Sequence, residues 1–77
     1  MTGVEVVTFV FDSTNGAMWA EEIARELGIP VEVVPAPSGA EAICDLAVST
    51  LAREARRLEA AWSDQGVPFR AWSGAPA

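Results

Sequence analysis

The chain has no histidine, no lysine and no tyrosine, and Cys44 is its single cysteine. Without histidine a Cys-His catalytic pair is excluded, and one cysteine supplies neither an internal disulfide nor a structural zinc set within one chain. Carboxylates such as Asp12 and Asp45 show no metal-binding spacing. No glycine-rich phosphate-binding motif precedes the first predicted helix. We therefore expect no metal and no cofactor, and Cys44 is the main candidate for covalent chemistry.

Positive charge is also scarce, since five arginines stand against eleven Asp and Glu residues and the formal net charge is −6. Such a balance argues against binding to phosphate backbones, so we expect no nucleic acid partner. No apolar run approaches the length of a membrane span, and residues 1–4 lack a basic leader. These absences, with the single cysteine, predict a cytoplasmic protein without membrane association.

The length and composition indicate one small folded unit. The chain has 77 residues, of which 51% are hydrophobic and 21% charged, enough for a sheet-plus-helix core. We predict a single domain over 1–77, with an ordered core of about 4–72 and a tail over 73–77. Because so much of this small chain is apolar, we also expect surface that a second copy could cover, as in a homodimer.

The first half of the chain predicts a strand, a helix and a second strand. The β-branched and aromatic run over 4–11 is apolar on both faces, which is typical of a central strand. Apolar residues recur at helical spacing over 17–27, and Gly28 ends that pattern. A short strand is predicted over 31–34. The two prolines at the start of 35–43 favour an extended loop there.

The second half predicts a strand, a helix and a final strand. We place the third strand over 44–48 and expect Ser49 or Thr50 to cap the second helix. The last strand is predicted over 69–72, after the helix ends near Gly66. The buried stripe of the second helix follows spacings of four, three and four residues: Leu51, Ala55, Leu58 and Trp62.

This β-α-β-β-α-β order predicts a ferredoxin-like α+β fold, with a four-stranded antiparallel sheet and two helices on one face. The first two strands run parallel with the third between them. The loop before the third strand and the turn before the first helix then emerge at the same end of the sheet. Cys44 is therefore predicted near the first helix N-terminus, where Ser13, Thr14, Asn15 and Gly16 would stabilise a sulfur anion.

Each of these candidates also has an ordinary structural interpretation. Ser13, Thr14 and Asn15 are typical capping or turn residues, and a lone cysteine often packs as an unreactive apolar group. Asp45 places a negative charge beside Cys44, which disfavours a thiolate, and no Arg or Lys occurs over 35–44. The residues alone leave both interpretations open.

The three tryptophans are predicted to have different positions. Trp62 is expected in the core, and Trp19 falls beside the buried stripe of the first helix. Trp72 is predicted either on the helix-free side of the sheet or at the end of the core. An open apolar face with Val6, Val10 and Trp72 would form an interface with a second copy or another protein.

Three short motifs keep an ungapped spacing along the chain. They are Phe-Asp-Ser-Thr-Asn-Gly-Ala over 11–17, Gly-Ile-Pro-Val over 28–31, and Pro-Ala-Pro over 35–37, which ends seven residues before Cys44. Over about residues 5–72 they resemble the selenium/sulfur (Se/S) carrier protein-like domain family. Its small proteins typically show Phe-x-Ser-Thr-His-x-Ala and a Pro-x-Pro-Arg loop that leads to Cys-Gly.

The resemblance implies that Cys44 accepts a sulfur or selenium atom as a persulfide or selenopersulfide. It further implies a sulfur donor such as a cysteine desulfurase, and an acceptor protein to which the atom is passed. The loop that carries Pro35, Pro37, Ser38 and Asp45 would form the docking surface. Such a protein is a carrier rather than a turnover enzyme.

The chain departs from the family pattern at three positions. Asn15 stands where histidine is usual, Ser38 where arginine is usual, and Asp45 where glycine follows the cysteine. These changes remove basicity or add acidity around Cys44. A second hypothesis therefore stays open, in which the protein is a non-catalytic interaction or regulatory module that dimerises through the open sheet face. A regulatory domain that binds a small molecule or metal is a third.

Overall fold

The computed structural model describes residues 5–37 and 46–72. This part of the chain contains four strands and two helices in the predicted order. Their bounds are β1 (Val6–Val10), α1 (Thr14–Leu27), β2 (Val31–Pro35), β3 (Leu46–Leu51), α2 (Ala52–Gln65) and β4 (Arg70–Trp72). Neither helix within these ranges is long and apolar enough to cross a membrane.

The strands form one sheet with the order β2-β3-β1-β4, in which all neighbours are antiparallel. β1 and β2 are therefore parallel, with β3 between them, as the topology predicts. β1 occupies a central position between β3 and β4, as its run of β-branched and aromatic residues predicts. The ferredoxin-like α+β prediction is confirmed.

The core is organised around Trp62 of α2, which is fully buried. Its ring meets Phe9 and Phe11 of β1 edge to face, with centroids 5.0 Å and 5.4 Å away, and lies 5.2 Å from the ring of Phe69. The indole Nε1 donates a hydrogen bond of 3.0 Å to the backbone oxygen of Ala20 in α1. Trp62 thus joins both helices to the sheet, and its predicted core position is confirmed.

Helix α1 begins and ends where its local sequence predicts. Ser13 is the N-cap, and its side chain accepts a hydrogen bond from the backbone N–H of Gly16. Gly28 ends the helix with φ of 72°, a left-handed conformation that glycine adopts without the Cβ clash. The buried side of the helix consists mainly of alanine, which lets it lie close to the sheet: Ala17, Ala20, Ile23 and Ala24.

The predicted boundary between the third strand and the second helix is wrong. We expected the strand to end at Val48, with Ser49 or Thr50 as the helix cap and Leu51 in the helical stripe. β3 instead continues to Leu51, and α2 begins at Ala52 without a side-chain cap. The remaining stripe residues of α2 are buried as predicted: Ala55, Leu58 and Trp62.

Hydrogen-bond partners on neighbouring segments explain why Ser49 and Thr50 belong to the strand and not to a helix cap. Ser49 Oγ lies 3.0 Å from Thr8 Oγ1 on the neighbouring strand β1. Thr50 Oγ1 donates a 2.8 Å hydrogen bond to the backbone oxygen of Pro30, just before β2. Both hydroxyl groups are thereby satisfied within the sheet, so neither is needed at a helix terminus.

Candidate functional site

The candidate site lies at the edge of the sheet where β1 and β2 end and where β3 and β4 begin. The register pairs Val10 with Ala47 and with Arg70. On the other side of β3, Pro35 pairs with Leu46. The end of β1, which leads into α1, and the start of β3 therefore meet at one edge, as predicted from the topology.

The predicted sulfur acceptor Cys44 lies outside the described residues, together with Ser38 and Asp45. In the sequence, Cys44 precedes the first residue of β3, Leu46, by two positions. Of the two predicted loop prolines, Pro35 is the last residue of β2 rather than a loop residue, and it is exposed. Pro37 lies two residues after Pro35 and is half-buried.

The N-cap and the first turn of α1 contain the four residues predicted to stabilise an anion. Thr14 and Asn15 are exposed, whereas Gly16 is half-buried. The N–H of Gly16 donates a 3.0 Å hydrogen bond to Ser13 Oγ, so the capping interpretation of Ser13 is confirmed. A Cβ added at Gly16 would lie 3.2 Å from that oxygen. Glycine, which has no Cβ, therefore fits this close contact between position 16 and the Ser13 hydroxyl.

Sequence reasoning missed one positive charge at this edge, that of Arg70. Its guanidinium Nη2 lies 3.9 Å from Asp12 Oδ1, and both side chains are exposed. An exposed pair of this kind contributes little to stability, but it places a cation at the edge where β4 begins. The position of Arg70 at this edge follows from the register of β4, which sets Arg70 opposite Val10.

Acidic side chains at this edge do not assemble into a metal centre in the described ranges. No group of three or more His, Cys, Asp or Glu residues within 5–37 and 46–72 has the arrangement to hold a metal ion. Positive charge at this edge comes from Arg70 and from the N-terminus of α1.

The predicted interface residues lie on the helix-free side of the sheet but differ in exposure. Trp72 pairs with Thr8, which places it on that side, and it is half-buried outside the core cluster. Val6 is 59% exposed, whereas Val10 is only 4% exposed. Val6 and Trp72 thus present surface to a partner, and Val10 presents almost none.

A groove of about 280 Å³ borders Val6 at the end of the sheet opposite the candidate site. Val6 pairs there with Leu51, and Pro30 and Glu32 complete much of the wall. It contains no pair of groups arranged for acid-base or nucleophilic chemistry. We therefore treat it as part of the surface and not as a catalytic pocket.

Comparison with known proteins gives a family for the chain. Neither a search of curated proteins nor a search of solved structures gave a match. One family model matches residues 7–73, which span most of the 77 residues and include both the first turn of α1 and Cys44. The chain belongs to the family described as "Putative Se/S carrier protein-like".

Proposed function

We propose that the protein is a sulfur or selenium carrier in which Cys44 holds the transferred atom. The observation that carries this proposal is the family match over residues 7–73. Cys44 is the only thiol of the chain, so it is the only side chain that can form a persulfide. The proposal assigns the protein a donor protein and an acceptor protein as partners.

The transfer requires two thiol-exchange steps. In the first, the Cys44 thiolate attacks the outer sulfur of a persulfide on the donor, such as a cysteine desulfurase. A new S–S bond forms as the donor S–S bond breaks, and the donor cysteine leaves as a thiolate. In the second step, an acceptor thiolate attacks the outer sulfur of the Cys44 persulfide. The S–S bond breaks, and Cys44 leaves as a thiolate. No oxidant or reductant is consumed, as befits a carrier.

Two features of the described edge support an anionic sulfur there. The N-terminus of α1 carries the positive end of the helix dipole, which favours anions within the first turn. Arg70, which pairs with Val10 on the helix-free side of the sheet, adds a full positive charge at the same edge, partly offset by Asp12. The Gly16 N–H is bonded to Ser13, so we assign the stabilisation to the dipole and to Arg70.

A carrier thiol must be accessible in the folded protein. We expect iodoacetamide to alkylate Cys44 in the native protein at a rate no more than about tenfold below the rate in the urea-unfolded chain. Intact-mass measurements over time give both rates, and Cys44→Ser is the control that should gain no adduct. A thiol that resists alkylation until the chain unfolds would contradict the carrier proposal.

One observation favours a second candidate function, an interaction module that dimerises through the helix-free face. Val6 is 59% exposed on that face, with half-buried Trp72 on the same side. Large apolar side chains exposed on a sheet face are typical of surfaces that a partner covers. A second copy would bury Val6 and the groove beside it.

This second candidate predicts a specific effect of charge at position 6. Val6→Asp should convert a dimer into a monomer in sedimentation equilibrium, because dimerisation would bury an unpaired carboxylate. Val33→Asp is the matched control, since Val33 is a 40% exposed valine of β2 on the helix-covered side. A wild-type protein that sediments as a monomer at all concentrations would rule out the dimer.

A further inference from the structure

The outward side of α1 combines an apolar pair with an acidic pair. Met18 is 58% and Trp19 44% exposed, whereas most large apolar side chains in the described residues are buried. Glu22 lies four residues after Met18, and Glu26 four after Glu22, so they continue the same side of the helix. We call these four residues and Asn15 the α1 outer face.

The α1 outer face has an uncompensated negative charge. Arg25 is the only basic residue of α1, and it forms an ion pair with Glu21 at a spacing of four residues. Among the ion pairs between described residues, none involves Glu22 or Glu26. Both carboxylates therefore remain available to a partner.

The position of this face relates it to the candidate site. Asn15 lies in the first turn of α1, at the sheet edge where β3 begins, and Met18 and Trp19 lie about one turn further along. A shallow depression of about 620 Å³ runs along the helix surface, bordered by the outer-face residues and by the Glu21–Arg25 ion pair. A protein seated there would lie next to the edge at which β1 ends and β3 begins.

We propose that the α1 outer face is the docking surface for the protein that donates sulfur to Cys44. The donor would contribute an apolar side chain against Met18 and Trp19, flanked by Arg or Lys opposite Glu22 and Glu26. This inference rests on the proposed carrier function. It adds the location of the contact and the chemistry of the partner surface.

Charge complementarity favours a basic protein partner over a second copy of the chain or a nucleic acid. A second copy of the chain would bring the same acidic face against Glu22 and Glu26, and like charges at an interface oppose association. The phosphates of a nucleic acid would be repelled in the same way. A basic protein surface is attracted both to this face and to the net charge of −6, which also accelerates its encounter with the carrier.

The test measures the kinetics of Cys44 loading by the cysteine desulfurase of the same organism, with cysteine as the sulfur source. Reversal of both charges by Glu22→Lys with Glu26→Lys should raise the KM for the carrier about tenfold and change kcat little. The matched control combines Glu32→Lys with Asp64→Lys, two exposed acids outside the α1 outer face, and alters net charge equally. Its KM should rise much less.

Loading by glutathione persulfide, a small donor that needs no docking surface, tests the carrier function separately from the docking proposal. The two charge-reversed proteins carry the same net charge, so this anionic donor should load both at the same rate. Equal KM values for the two charge-reversed proteins, or no change in either, would overturn the docking proposal while glutathione persulfide still loads Cys44. Failure of the wild-type protein to accept sulfur from either donor would overturn the carrier function itself, and the docking proposal with it.

Discussion

Replacing Trp62 with alanine is expected to remove a large share of the folding free energy. Loss of a buried tryptophan typically costs about 3–5 kcal/mol. A 77-residue protein has a total stability of roughly 4–12 kcal/mol. The substitution empties the space between Phe9, Phe11 and Phe69 and removes the hydrogen bond to Ala20. Urea unfolding followed by far-UV circular dichroism should show a strongly lowered midpoint or no folded baseline.

Trp19→Ala provides the matched control for this effect. Trp19 is a tryptophan of the same chain, but it is 44% exposed and lies outside the core cluster. Its replacement should change the free energy of unfolding by only about 0.5 kcal/mol. Equal losses of stability in the two variants would contradict the assignment of Trp62 as the centre of the core.

Cys44→Ser is expected to abolish the acceptance of sulfur. A serine hydroxyl does not attack a persulfide under conditions in which a thiolate does, because its pKa is far higher. Since the chain has no other thiol, no second residue can replace Cys44. Incubation with a cysteine desulfurase and radiolabelled cysteine should transfer label to the wild-type protein and none to the variant.

A relocated thiol tests whether the position of Cys44 matters or only its presence. Ser63 is exposed near the end of α2, so Ser63→Cys combined with Cys44→Ser moves the thiol to another surface site. We expect this double variant to react with iodoacetamide but to take label from the desulfurase much more slowly than the wild type. Equal labelling would show that the transfer does not depend on the site.

Features decided by nearby residues were predictable from the sequence. Ser13 and Gly28 follow local rules for helix caps, and each is found at the end of α1. The apolar run that contains β1 indicated a central strand, and β1 has neighbours on both sides. The order of the elements then led to the topology of the sheet and to the edge where the candidate site lies.

Features decided by distant residues were not predictable in this way. Ser49 and Thr50 suit a helix cap as well as a strand, and their partners Thr8 and Pro30 lie 41 and 20 residues away in sequence. The proximity of Arg70 to the end of β1 depends on the strand register. The burial of Val10 likewise follows from the tertiary structure and not from its place in the alternating pattern.

The most direct test of the proposed carrier function is the intact mass of the wild-type protein after incubation with a cysteine desulfurase and cysteine. The mass is recorded under non-reducing conditions. If Cys44 is a sulfur carrier, the protein should gain one sulfur atom, located at Cys44 by peptide fragmentation and removed by a thiol reductant. An unchanged mass, in a protein that is folded and whose thiol reacts with iodoacetamide, would contradict the assignment of Cys44 as a sulfur carrier.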